Sequence, residues 1–462
     1  MPAFALTHAY ADFIAGIDRA NIPELALQWA RTGFVDTFGV ALAGAREPVV
    51  DILRQWVLDQ QGRPAAALFG RDARVPEAMA ACVNSTAAHA LDFDDFAFSN
   101  HPSAVLVPVV LALGQAQSQP VPGMKALRAY IAGYEVWADA FSRESDLYYD
   151  QGWHPTAVFG VLGAAAAASV MLGLQPMQCS HALALAASGA GGVFENFGTM
   201  AKPFHGGHAA QVGVQSAMLA HRGLSASGSA LEGDRGMLRA FSPRGQVDRT
   251  RPFVPGEPWR IMQHGLNLKR YPVVGAAQRC IDAALALRSD IRIDVRRVRS
   301  IAAHVSRRHA AVMPYALPQD ALQAKFSLEF AVACALMHGR VGFGELDDLI
   351  VRAPEMQALM RRVHVHTTEA FEPGWRDAAP FDQVELTMDD GSSVRSPEIR
   401  RPLGHADRPL SDAQLAEKFI TCAAHVGISG SSAMHRFERL RTLHADPDIR
   451  SLDLATQRPA TP

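Results

Sequence analysis

Apolar positions recur at helical spacing through most of this chain, in long blocks parted by short polar breaks. Residues 21–44 open on Asn21-Ile-Pro-Glu24, with proline in the first turn and Glu24 at the positive end of the dipole. Leu25, Trp29, Val35, Phe38 and Val40 then supply an apolar side, so one helix is predicted to about Gly44. Residues 1–16 carry Asp12 within an apolar pattern and lack a basic leader, which predicts an amphipathic helix and not a signal peptide. Further helices are predicted over 77–90, 104–114, 157–174, 176–188 and 209–222. The run 157–174 has eighteen residues without a charge, but its Gly and Ala content and the lack of a companion predict a buried helix and no membrane span. Residues 195–208, rich in Gly, Lys and His, read as a loop.

After residue 268 the texture changes. Residues 295–305 can alternate as a strand, 363–367 do so more clearly, and 384–388 with Asp389-Asp-Gly391 and Val394 form a hairpin pattern. One long helix, 320–339, is expected among them. The prediction is a mainly α chain: a helical domain over 1–267, a smaller α+β domain over 268–400, a helical return over 401–445, and a disordered tail over 446–462.

Composition adds exclusions. With 48% hydrophobic and 19% charged residues and a net charge of −2, no nucleic acid or anionic membrane is expected as partner. Cys82, Cys179, Cys280, Cys334 and Cys422 are scattered and odd in number. That argues for a reducing, cytoplasmic setting and against disulfides or an iron-sulfur cluster.

The chemistry is concentrated in four polar clusters at the ends of apolar helices. They are Asp92 to His101, which holds Asp92, Asp94, Asp95 and His101; Trp153-His154-Pro155; Lys202 to His208; and Lys269-Arg270-Tyr271. Taken singly, each also reads as a turn, a cap or a solvated loop. Together they offer acids, bases and fixed cations, the equipment for moving a proton next to a carboxylate. The developing enediolate needs cations, which Lys202, Lys269 and Arg270 can supply, and a positioned acid or base, for which histidine is suited. Three adjacent carboxyls shielded from water raise each other's pKa. GxGxxG before a helix, GxxxxGK[ST], HExxH and GxSxG are absent. His364 and His366 share a strand face, without neighbours that suggest a metal.

The segments HALDFDDFAFSNHPSAVLVP, GWHPTAVFGVLGAAAAASVMLGL, FGTMAKPFHGGHAAQVG, LEGDRGMLRAF, LKRYPVVGAAQRCIDAA, AKFSLEFAVACALMHG and LSDAQLAEKF occur in this order over nearly the full length. In them the chain resembles the MmgE/PrpD family, whose members dehydrate 2-methylcitrate, decarboxylate cis-aconitate or epimerise iminodisuccinate. The resemblance implies a large helical domain, a smaller α+β lid and a homodimer, with no metal or organic cofactor. It places the catalytic or substrate-binding residues at Asp92, His101, His154, Lys202 and Lys269, and gives His205, Tyr271, Arg270 and Ser103 flanking, substrate-binding positions. Phe96, Val274 and Phe330 stand where decarboxylase-like members carry Thr, His and Tyr. The expected activity is a cofactor-independent lyase acting on a small di- or tricarboxylic acid. Dehydration of a 2-methylcitrate-like acid is the default, with decarboxylation, epimerisation or silent carboxylate binding as alternatives.

Overall fold

The computed structural model describes residues 5–290, 294–372, 378–452 and 454. The chain forms two compact units, one of Met1–Asn196, Ala201–Leu266 and Asp412–Pro462, the other of Phe197–Met200 and Asn267–Ser411.

The first unit is helical apart from a two-stranded antiparallel ribbon. In order it contains α1 (Leu6–Gly16), α2 (Glu24–Gly44), α3 (Pro48–Asp59), β1 (Ala66–Ala67), β2 (Arg74–Val75), α4 (Glu77–Ala90), α5 (Pro102–Ala116), α6 (Gly123–Ser142), α7 (Pro155–Leu172), α8 (Pro176–Ala187) and α9 (Ala201–His221). Helix α7 is apolar on every side, so no face of it suits water; α5, α6, α8 and α9 surround it and every residue except Leu172 is buried. It is long and apolar enough to cross a membrane by length and composition, and here it is the centre of a packed unit.

Small residues let α9 come close. A Cβ on Gly213 would lie 2.3 Å from Cβ of Ala164 in α7, and one on Gly207 would lie 2.1 Å from Oγ1 of Thr86 in α4. This corrects the expected loop at 195–208: α9 begins at Ala201 and carries Lys202, His205 and His208 in its first turns. Pro203 gives up no helical hydrogen bond so near the start. Gly206 and Gly207, which weaken an isolated helix, sit where α4 would obstruct a side chain at Gly207.

The second unit packs α10 (Gln278–Asp290) and α11 (Leu328–His338) on a sheet of β3 (Val298–Ser306), β4 (Val363–Thr368), β5 (Gln383–Met388) and β6 (Ser393–Arg395), ordered β4-β3-β5-β6. Strand β3 pairs parallel with β4 and antiparallel with β5, which forms the expected hairpin with β6. Its Ile301, Ala303 and Val305 join the core, while His304 pairs in register with His366. The single helix expected over 320–339 is broken: Ala321–Ala324 ends, and α11 restarts where Ser327 Oγ accepts the Phe330 amide at 3.0 Å.

The chain returns to the first unit with α12 (Asp412–His425), packed on α2, and α13 (Gly430–Arg441). Beyond it, in the segment expected as a disordered tail, Ile449 is buried and its amide bonds the Val121 carbonyl at 2.9 Å. Residues 453 and 455–462 of that segment lie outside the described residues.

Candidate active site

The polar connection between α4 and α5 is held from three sides. Its turn closes with reciprocal bonds between Ala97 and Asn100, and Asn100 Oδ1 accepts from the indole of Trp137 in α6 at 3.2 Å. Its end is tied to α7, where Thr156 Oγ1 accepts the His101 amide at 3.2 Å. At its start, Lys418 of α12 donates to the Phe93 carbonyl at 2.9 Å and lies 4.1 Å from the Phe93 ring centroid. Asp92 has φ +50°, a left-handed conformation that Asp tolerates better than most residues.

Held this way, the connection meets the first turn of α9. Asp92 forms a buried ion pair with Lys202. His154 Nδ1 lies 3.2 Å from His205 Nδ1, which makes one ring the donor and the other the acceptor. Asp94 Oδ2 lies 3.0 Å from His89 Nδ1 and 2.8 Å from His101 Nδ1, and the His89 ring stacks over His154 with centroids 6.0 Å apart. The structure thus gathers Asp92, His101, His154, Lys202 and His205 with Asp94 of the expected polar cluster, and adds His89, a position with no expected role. His89 ends a helix pattern and reads as a core position, yet it opens the polar stretch by sequence.

His101 precedes α5, His154 precedes α7 and Lys202 is the second residue of α9. Three helix N-termini therefore lie at the cluster, and their dipoles favour an anion. Burial, added to the Lys202 charge, disfavours the protonated form of His89, His154 and His205. Burial and then Lys202 push His89 down to about 3 and His205 down to about 4, and hold His154 well below the usual range.

The remaining expectations are placed as follows. Ser103 Oγ lies 2.7 Å from Tyr130 Oη in a buried polar patch under the connection. Asp95 belongs to that patch; burial and then neighbouring Asp36 raise its carboxyl well above the usual range. His208 is exposed on α9. Lys269, Arg270 and Tyr271 belong to the second unit, where Lys269 is buried, Arg270 is exposed over the Tyr271 ring, and Tyr271 Oη donates to Asp282 at 2.7 Å. Phe330 is core in that unit, and Val274 packs against the same core.

As a metal site, His89 Nδ1, Asp94 Oδ2 and His101 Nδ1 offer ligand atoms within 4.8 Å of one another. The N to O separations are also those of hydrogen bonds.

Neutral buried histidines set a stability expectation. The unfolded chain takes up protons near pH 6.5, whereas folded His89 and His205 do so only near 3 and 4. Their contribution is complete above pH 6.5 and is lost as the pH falls toward 4. For a fully buried ring such as His89 the slope approaches about 1.4 kcal/mol per pH unit. Melting temperatures measured from pH 7 to 4.5 should fall steadily; a flat profile would mean that these rings are protonated in the fold.

The chain is similar to known proteins along most of its length. The MmgE/PrpD N-terminal domain matches residues 8–250 and the MmgE/PrpD C-terminal domain matches residues 271–441. Cis-aconitate decarboxylase of Homo sapiens is 27% identical over 431 residues, 90% of this chain and 87% of that protein. The cis-aconitate decarboxylase of Aspergillus terreus is 25% identical over 433 residues, 88% of this chain and 86% of its own. The 2-methylcitrate dehydratase of Cupriavidus necator is 26% identical over 185 residues, 36% of this chain and 38% of its own.

Proposed function

The chain belongs to the MmgE/PrpD family, and on that premise we propose that it is a lyase of a small tricarboxylic acid, moving a proton at a carbon next to a carboxylate. The observation that carries this reading is the buried pair of Asp92 and Lys202 beside four imidazoles, at the meeting of three helix N-termini. A substrate carboxylate competes with Asp92 for the Lys202 ammonium and is further favoured by the helix dipoles. The electron pair left on carbon, by loss of a proton or of carbon dioxide, spreads into that carboxylate and is stabilised by the same groups.

His101 and His154 flank the pair and exchange the proton. Burial and Lys202 hold His154 below the usual range, so it is available as a base; the negative charges of a bound tricarboxylate raise the proton affinity of both rings and make an acid available. Decarboxylation of a cis-aconitate-like acid is the leading outcome, supported by similarity along nearly the whole chain to cis-aconitate decarboxylases. Dehydration of a 2-methylcitrate-like acid is the second reading, supported by the similarity over 185 residues to a 2-methylcitrate dehydratase. Action without a metal, in the cytoplasm and as a homodimer completes the proposal.

The test is proton NMR of chelator-treated protein in heavy water with cis-aconitate, 2-methylcitrate, citrate and iminodisuccinate. Loss of a carboxylate with deuterium at the new methylene or methyl supports decarboxylation, and a new alkene from a hydroxy-acid supports dehydration. Exchange at one carbon without net change indicates epimerisation. No change with any of the four rejects the lyase reading for this substrate class.

A further inference from the structure

Asp94 is fully buried between two imidazoles that come from different elements, His89 at the end of α4 and His101 at the entry to α5. A single oxygen, Oδ2, meets both Nδ1 atoms, at 3.0 Å and 2.8 Å. An ionised carboxylate only accepts, and one of its oxygens has two lone pairs, so this contact saturates it with two N–H donors. At His101 the assignment has a second support: Nδ1 also lies 3.2 Å from the Asp95 carbonyl, which cannot donate. His101 Nδ1 therefore carries hydrogen, and its second nitrogen, Nε2, is the one left to take or give a proton. At His89 the second nitrogen is buried and has no hydrogen-bond partner among the described residues, and its ring stacks on that of His154. Two rings with centroids 4.4 Å apart are thus held by one anion.

We propose that Asp94 is a positioning residue that locks His89 and His101 together in the Nδ1–H tautomer, so that Nε2 is the unprotonated nitrogen of both. This rests on the lyase reading of the site. The arrangement also accounts for the run of carboxylates at 92, 94 and 95 as a division of labour: Asp92 answers the ammonium of Lys202, Asp94 orients the imidazoles, and Asp95 belongs to the buried patch with Ser103 and Asp36. A carboxylate behind a histidine fixes which nitrogen reacts and stabilises the imidazolium formed during turnover. One carboxylate serving two histidines couples them, since a proton gained by either ring strengthens its bond to the oxygen at the other's expense.

The test combines tautomer and turnover in the full-length protein. Long-range proton-nitrogen correlation spectra of labelled histidine rings, assigned with His89→Gln and His101→Gln, should show both rings as Nδ1–H in the unsubstituted protein. Asp94→Ala should populate the other tautomer at one or both rings and lower kcat about 10²–10³-fold with KM changed less than about threefold. Asp94→Asn, which keeps an acceptor of the same shape but not the charge, should fall between and decides the matter if Asp94→Ala does not fold. Nε2–H tautomers in the unsubstituted protein, or an unchanged kcat in the folded variants, would overturn the proposal. So would one divalent ion per chain that is lost in Asp94→Asn, because the carboxylate would then be a metal ligand. The spectra need no substrate, so correct tautomers in a protein inert toward all tricarboxylates reject the lyase reading while leaving the lock standing.

Discussion

Lys202→Met is expected to lower kcat/KM by about 10³-fold, the scale of losing a principal charge-stabilising donor from a water-poor site. The ammonium is buried against Asp92 and stands among the imidazoles, so its loss acts twice. The substrate carboxylate loses its cation, and Asp92 is left as a buried anion without its partner, which also lowers the melting temperature. A third effect identifies the cause. Lys202 is the largest charged contribution keeping His89, His154 and His205 unprotonated, so their titration should move up toward the ordinary histidine range in the variant. Histidine titration by NMR checks this beside the kinetics. Wild-type turnover in the variant would remove Lys202 from the site.

The largest effect on stability is expected at Lys418. Its ammonium lies 2.6 Å from Asp36 Oδ1 and holds the Phe93 carbonyl, beneath the connection that carries Asp92 and Asp94. Lys418→Met leaves Asp36 without its cation in the interior, an outcome that typically costs about 3–5 kcal/mol. Asp36 and Asp95 already sit above the usual carboxylate range, each mainly through burial, and removing the cation raises them further. A carboxyl whose folded pKa exceeds its unfolded value keeps its proton longer in the fold, so the deficit should be smaller at pH 5 than at pH 8. Denaturant unfolding at both values measures it. The double variant Lys418→Met with Asp36→Asn should recover much of the stability but not the anchor on Phe93, so kcat should stay low.

Helices α2, α4, α7 and α8 are legible because periodicity, proline starts and small-residue content agree over each of them. The start of α9 is not legible, since Pro203, Gly206 and Gly207 argue locally for a loop; Pro203 is tolerated in the first turn, and the closeness of α4 explains Gly207. The break before α11 has a local signal in Ser327, masked by the apolar run after it. At the site, Lys202, His154 and His101 stand out as polar residues at helix ends. His89 does not, because a histidine within an apolar helix pattern reads as a core residue until the fold shows what its Nδ1 meets. The roles of Asp92, Asp94 and Asp95 cannot be separated by sequence, since their difference lies in partners that come from α9, α4 and α2.

Lys418 enters the first unit from the far end of the chain. During synthesis Asp92 therefore leaves the ribosome well before its underlying anchor exists. At about 5–20 residues per second the 326 residues between positions 92 and 418 take roughly 15–65 s. Through that interval the nascent helical unit has Asp36 and Asp95 without their cation and exposes the face of α2 that α12 later covers. A chain stalled before residue 412 should be a client of holding chaperones, and one released after 425 should not.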